Sequence, residues 1–205
     1  MSQPRTLLIA TMNAGKVVEL RDMLPCTDIE VVGLDAFADV VEVEETGATF
    51  EENAKIKATE YSRQAGLPAL ADDSGLEVMA LDRRPGVLSA RYGGEELPFS
   101  EKIRLLLGEL DTAGSDDRSA RFLCSIALAS AEGEIVATAS GMCNGNLASA
   151  PRGKGGFGYD PIFVPEGYDL TFAELPSAIK AQISHRGRAF SQIMPILRRF
   201  FSIST

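Results

Sequence analysis

The chain has 205 residues, 45% of them apolar, and a formal net charge of −9. That length supports one sizeable core, the acidic balance without any Lys/Arg stripe excludes a nucleic-acid polymer as partner, and no apolar stretch is long enough to span a membrane. Cys26, Cys124 and Cys143 match neither a zinc pattern nor a disulfide framework, so reduced thiols in a cytoplasmic protein without a signal peptide are expected.

Thr6 to Ala10 reads as a buried strand. The polar stretch Thr11 to Lys16 follows, then Val17, Leu20, Met23 and Leu24 at helical spacing, with Asn13 as the N-cap. Ile29 to Gly33 reads as a second strand, and Val40 to Gly47 is acidic through Glu42, Glu44 and Glu45. Thr49-Phe50-Glu51-Glu52 fits a capping box; Phe50, Ala54, Ala58, Tyr61 and Ala65 then mark one helix face, which Gly66-Leu67-Pro68 ends. In Ala69-Leu70-Ala71-Asp72-Asp73-Ser74-Gly75-Leu76 an apolar run meets two carboxylates and then Ser-Gly. The pattern predicts that the strand stops there and leaves the carboxylates at its C-terminal end, where open α/β sheets place ligands. An ordinary turn would carry the same residues.

Arg84-Pro85-Gly86 and Arg91-Tyr92-Gly93-Gly94 signal loops, and Ile103, Leu106, Leu107 and Leu110 mark an amphipathic helix. Ala120 to Ser130 and Glu134 to Met142 read as a hairpin around Glu132-Gly133. Pro151 to Tyr159 is a Gly-rich loop, and Asp160 to Pro165 a short strand after it. Ser184-His185-Arg186 precedes a last helix with Ala189, Phe190, Ile193, Met194, Leu197, Phe200 and Phe201 inward, which Pro195 is expected to kink or divide. Strands and helices alternate before a hairpin appears, so the expected fold is α/β, a single domain over 1–205 with two lobes around a mixed sheet.

Three polar clusters carry chemistry. The backbone N–H groups of Thr11 to Lys16 lie along a helix start and favour an anion; Lys16 adds charge for a phosphate, although P-loop spacing is absent. Glu44 and Glu45 on one loop and Asp72 and Asp73 on another offer oxygen ligands suited to Mg²⁺, with waters and phosphate oxygens completing the shell; an acidic solvated face is the alternative. A carboxylate there can take a proton from an attacking water. In the third cluster, glycines around Phe157 let a flat ring approach the backbone, and Lys180, His185 and Arg186 add polar and cationic donors.

Six segments then occur in a familiar order: Thr11-x-Asn13-x-Gly15-Lys16; Glu44-Glu45-Thr46-Gly47 through Glu52-Asn53-Ala54; Ala71-Asp72-Asp73-Ser74-Gly75-Leu76; Pro85-Gly86 with Ser89-Ala90-Arg91-Tyr92; Gly155-Gly156-Phe157-Gly158-Tyr159-Asp160-Pro161; and Ser184-His185-Arg186-Gly187. From about Leu7 to Phe190 the chain resembles the RdgB-type inosine/xanthosine triphosphate pyrophosphatases. The resemblance implies an elongated, twisted sheet flanked by helices, a homodimer, and Mg²⁺-dependent hydrolysis of ITP, dITP and XTP to monophosphate and pyrophosphate. It implies that Asp73 accepts the proton and touches the metal, with Glu44 the second ligand and Glu45 and Asp72 close by. It implies that Thr11, Met12, Asn13, Ala14, Gly15, Lys16, Ser74 and Lys180 meet triphosphate or sugar. Phe157, Gly158, Tyr159 and Asp160, with His185 and Arg186, would enclose the base. A site that donates to the 6-oxo group faces an amino donor when adenine enters, which gives large discrimination; the arginine or nearby backbone N–H groups are the candidate donors. Met12, Ile179, Ala181 and Pro195 depart from the usual pattern. Two rival readings are a Maf-type pyrophosphatase acting on pyrimidine triphosphates, against which the Ser-His-Arg and Phe-Gly-Tyr-Asp segments argue, and a catalytically silent nucleotide-binding protein, against which the intact carboxylates argue.

Overall fold

The computed structural model describes residues 5–24 and 29–202, so Cys26 lies outside the described residues. The chain divides into two compact units: Met1–Asp73, Cys124–Gly141 and Arg186–Thr205 form the first, and Ser74–Leu123 with Met142–His185 the second.

In the first unit, β1 (Arg5–Ile9) leads into α1 (Ala14–Asp22), whose start is fixed by the Asn13 side chain accepting the Lys16 N–H. β2 (Ile29–Gly33) returns parallel to β1 with Leu7 opposite Val31. α2 (Phe50–Ala65) opens with the expected capping box, since Thr49 Oγ1 accepts from Glu52 N and the Glu52 carboxylate accepts from Thr49 N. It closes on Gly66 at φ +64°, a conformation that suits a residue without Cβ. Thr49→Ala is expected to lower stability by about 1 kcal/mol, read as a fall in the urea midpoint at unchanged slope.

β3 spans Ala69–Val78 and pairs parallel with β1 through Ala69 and Leu70. The strand therefore does not stop at Ser74-Gly75. Gly75 has no positive φ, and the apolar alternation resumes at Leu76 and Val78, both fully buried, so the backbone stays extended. Only the parallel pairing ends near Asp72, because β1 gives way there to the Thr11–Lys16 loop.

The pleat sends alternate side chains to opposite faces. Leu7, Ile9, Leu70, Cys124, Ile126 and Leu128 (the last three from β4, Ser119–Ala129) pack with Leu20 of α1 and with Ala189, Phe190, Ile193 and Leu197 of α5 (His185–Phe200). Leu8, Ala10, Ala69, Ala71, Ala127 and Ala129 pack with Ala54, Ala58 and Tyr61 of α2. Pro195 does not divide α5: it sits on the exposed side, where water can meet the carbonyl one turn back that loses its N–H donor, while Ile193 and Leu197 hold the inner face.

In the second unit, α3 (Phe99–Thr112) packs Ile103, Leu106, Leu107 and Leu110 against Phe122, Phe163 and Phe172. The hairpin turn, which belongs to the first unit, is closed by Ser130 N donating to Glu134 O, and β5 runs over Ile135–Leu147, entering the second unit at Met142. β6 covers only Phe163–Pro165 and pairs antiparallel with β5, because Asp160–Ile162 forms a tight helical turn in place of the expected strand start. A further helix, α4 (Ser177–Ile183), carries Lys180 and was not legible as a helix from its short, weakly patterned sequence. Among the described residues the strand order is β2-β1-β3-β4-β5-β6, a mixed sheet.

Candidate active site

Asp72 and Asp73 are neighbours in sequence and point to opposite faces of β3. Asp72 follows the parity of Leu70 toward α1 and α5, and Asp73 follows Ala69 and Ala71 toward α2. Their partners differ accordingly.

Asp72 is fully buried and its Oδ2 gathers cations. Lys16 Nζ lies at 3.2 Å, and Arg186 donates through Nε at 3.2 Å and Nη2 at 3.0 Å. The Cys124 thiol donates to the same oxygen at 3.9 Å, and Glu19 takes Arg186 Nη1 at 2.5 Å. Burial alone would push the Asp72 carboxyl up; Lys16, Arg186 and Lys57 outweigh it and hold it well below the usual carboxylate range. Burial pushes the Cys124 thiol up, so it stays protonated. Asp72 Oδ2 is taken up by cations of the protein, and the side chain lies on the opposite face of β3 from Asp73. Arg186, 1% exposed, places its guanidinium against Asp72 and Glu19.

Asp73 is the chemically poised carboxylate. Lys57 Nζ donates to Oδ1 at 3.1 Å and Asn53 Nδ2 to Oδ2 at 3.2 Å. A carboxylate has about four lone-pair sites, so each oxygen keeps room for a further donor or a cation. Burial pushes the Asp73 carboxyl above its ordinary value, against Lys57 and Lys16, and Glu45 adds to the rise. Lys57 also donates to Glu45 Oε1 at 2.6 Å, so one ammonium joins the acidic loop to β3. Burial would lower Lys57, but Asp73, Glu45 and Asp72 hold it above its ordinary value. The loop is docked a second time: Gly47 N donates to Asn53 Oδ1 at 2.7 Å, and a Cβ on Gly47 would meet that oxygen at 2.7 Å.

Asn53 and Lys57 were missed as site residues in the sequence. The available signal was their position: with Phe50, Ala54, Ala58 and Tyr61 they lie on the inward face of α2, where a lysine is out of place unless paired. Glu44 is exposed on the loop beside Glu45. Among the described residues no three acidic, His or Cys side chains gather as a metal cage. The donor set still fits Mg²⁺, which takes one or two carboxylates and fills its shell with waters and phosphate oxygens.

In the same unit the Thr11–Lys16 loop is pre-shaped. Thr11 Oγ1 accepts from Asn13 N at 3.2 Å, and Ala14 and Gly15 supply the first-turn amides that a helix leaves without internal partners. Met12 is exposed at the tip.

The second unit holds the aromatic cluster. Asp160 accepts from Phe157 N at 2.8 Å and from Lys180 Nζ, whose ammonium lies 5.0 Å from the Phe157 ring centroid. Tyr159 is buried, with its hydroxyl donating to Ser89 O at 3.0 Å, while Phe157 and Gly158 remain partly exposed. His185 is buried with its ring stacked on Phe122 at 4.6 Å, and it opens α5 rather than preceding it. Ser74 is half-buried on β3.

A family model described as the Ham1 family matches residues 7–196. A dITP/XTP pyrophosphatase from Oceanobacillus iheyensis is 44% identical over 190 residues, covering 92% of this chain and 96% of that protein. One of the same name from a Nostoc species is 46% identical over 201 residues, covering 98% of each. The structure of a HAM1 protein from Coxiella burnetii matches with a TM-score of 0.85 at 43% identity, covering 95% of this chain and 98% of that one.

Proposed function

The chain belongs to the Ham1 family, and from that premise we propose that it is a nucleoside triphosphate pyrophosphatase that converts ITP, dITP and XTP to the monophosphate and pyrophosphate. The observation that carries the reading is Asp73: a buried carboxylate with both oxygens oriented, one by Lys57 and one by Asn53, and with acceptor capacity left over. Asp73 takes the proton of a water that adds across the bond between the α- and β-phosphates, and pyrophosphate leaves. Lys57 and Asn53 fix the carboxylate so that no reorientation is needed at the moment of proton transfer. The first-turn amides after Asn13, with Thr11 and Lys16, bind phosphate oxygens. Ser74 and Lys180 serve triphosphate or sugar. Phe157, Gly158, Tyr159 and Asp160, with the His185–Arg186 segment, recognise the base, and backbone N–H groups rather than the Arg186 guanidinium meet the 6-oxo group. Glu44, Glu45 and Asp73 are the residues that would hold Mg²⁺. Bound Mg²⁺ would neutralise triphosphate charge and acidify water.

The test is pyrophosphate release from ITP, XTP, GTP, ATP, dTTP and UTP. ITP and XTP are expected to exceed GTP and ATP by at least about tenfold in kcat/KM, with release abolished by EDTA and restored by Mg²⁺. Orthophosphate as sole direct product overturns the reading, and a tenfold or greater lead of dTTP or UTP (an order-of-magnitude criterion) favours the Maf-type alternative. We also propose that the chain acts as one domain, in the cytoplasm, as a homodimer; light scattering on the purified protein tests the last point.

A further inference from the structure

The segment Ser89-Ala90-Arg91-Tyr92 has no part in the chemistry above, yet it is held in place by an unusual buried cation. Lys102, on α3, is 2% exposed. Its ammonium donates to the backbone carbonyls of Ala90 and, at 3.3 Å, Glu95, and it lies 5.4 Å from the Phe99 ring centroid. Burying an ammonium is costly, and methionine or leucine would fill an apolar helix face at lower cost. The cation therefore needs a reason beyond packing.

The reason is what stands on its partners. Ser89 O, one residue from the carbonyl that Lys102 holds, accepts the Tyr159 hydroxyl at 3.0 Å. Phe99, the ring beneath the ammonium, packs edge-on against Tyr159 with centroids 5.5 Å apart, and Gly158 lies against the same ring. Ser89 is itself pinned, accepting from Leu76 N at 2.9 Å and donating to Gly86 O at 2.6 Å. Both supports of Tyr159 thus meet at one ammonium, and Tyr159 sits between Phe157 and Asp160 in the loop assigned to the base.

We infer that Lys102 is a positioning residue for base recognition: its ammonium locks Ala90, Glu95 and Phe99 into a platform that fixes the Phe157–Asp160 loop. The inference rests on the reading of that loop as the base contact, and it has a readout that does not depend on turnover.

The experiment compares the whole protein with Lys102→Met and, as a milder break at the same position, Lys102→Gln, whose amide keeps a donor for one of the two carbonyls. Amide hydrogen exchange is followed over residues 89–95 and 154–160, beside kcat and KM for ITP and GTP. In both variants exchange over 154–160 is expected to quicken by about tenfold or more, as a local opening made easier by one lost hydrogen bond. KM for ITP is expected to rise about tenfold and the ITP-to-GTP ratio to shrink, while kcat for ITP stays within about threefold, since Asp73 and Lys57 are untouched. Unchanged exchange over 154–160 in both variants overturns the inference, as does a lower melting temperature with KM and the base ratio intact. If Lys102→Met does not fold, Lys102→Gln decides by the same criteria. If the wild type releases no pyrophosphate from ITP, the functional reading falls, and the exchange data still decide whether Lys102 fixes the loop.

Discussion

Asp73→Asn is expected to cut pyrophosphate release from ITP by about 10²–10⁴-fold, the usual worth of a general base, and to leave the metal-free protein at least as stable as the wild type. The two halves of the prediction share one cause. Burial raises the Asp73 carboxyl above its ordinary value in spite of Lys57 and Lys16. A carboxyl group with a raised folded value contributes stability that is fully present below the unfolded value and is lost as pH rises through the folded one. At neutral pH the charged form therefore costs stability, and an amide of the same shape removes that cost while still accepting from Lys57 at one oxygen; its NH2, which replaces the oxygen that accepts from Asn53 Nδ2, offsets part of the gain. Thermal melts in EDTA at pH 7 check the stability half; a melting temperature well below the wild type would show that the Lys57 contact outweighs burial. A turnover within tenfold of the wild type would detach Asp73 from proton transfer.

Arg186→Met is expected to do the reverse, damaging the fold first. Arg186 and Asp72 are 1% and 0% exposed, and removing the guanidinium leaves the buried carboxylate with Lys16 as its one remaining close cation among the described residues. Breaking such a pair costs about 3–5 kcal/mol, a large part of a domain's net stability, and Glu19 loses its partner as well. Asp72→Leu combined with Arg186→Met is expected to cost less than the sum of the single changes, because the pair then leaves together. The pH dependence carries the sign opposite to that of Asp73. Lys16, Arg186 and Lys57 overcome burial and depress Asp72, so its contribution is present above the unfolded value and is lost as pH falls through the folded one. The wild type therefore weakens below about pH 4, where unfolded aspartates take up protons, and the double variant lacks that component. Urea titrations at pH 7 and pH 3 measure both. A cost for Arg186→Met under about 1 kcal/mol, the range of an exposed pair, would contradict the buried arrangement.

What could be read from the sequence was local. The Asn13 cap, the Thr49–Glu52 box and the Gly66 stop depend on residues within one turn of each other, and each is formed. The inward faces of α2, α3 and α5 follow from spacing alone. What went unread depends on distant partners. Ser74-Gly75 has the composition of a turn, but β3 continues because Leu76 and Val78 find a core in the second unit. Arg186 sits in a polar tripeptide that suggests a ligand contact, and its buried carboxylate lies 114 positions away in sequence. Lys57 lies on a helix face that is otherwise mostly apolar, and its task became visible only with Glu45 and Asp73 beside it. The order of six short motifs carried the function further than any one of them, because that order reflects the whole chain while each motif taken singly fits an ordinary loop.

The separation of Asp72 from Asp73 across the sheet also sets which changes this strand can absorb. Replacing a side chain in β3 alters one contact, whereas removing or adding one residue between Leu70 and Asp73 inverts everything downstream of the change. A single deletion would turn an aspartate meant for Arg186 toward Lys57 and send the next one into the helix layer around Ala189 and Phe190. Changes of two residues keep each carboxylate on its own side. In this segment length is therefore the guarded quantity: a library of one-residue indels should come back empty of active protein where a substitution library at Ala69 or Ala71 still yields survivors.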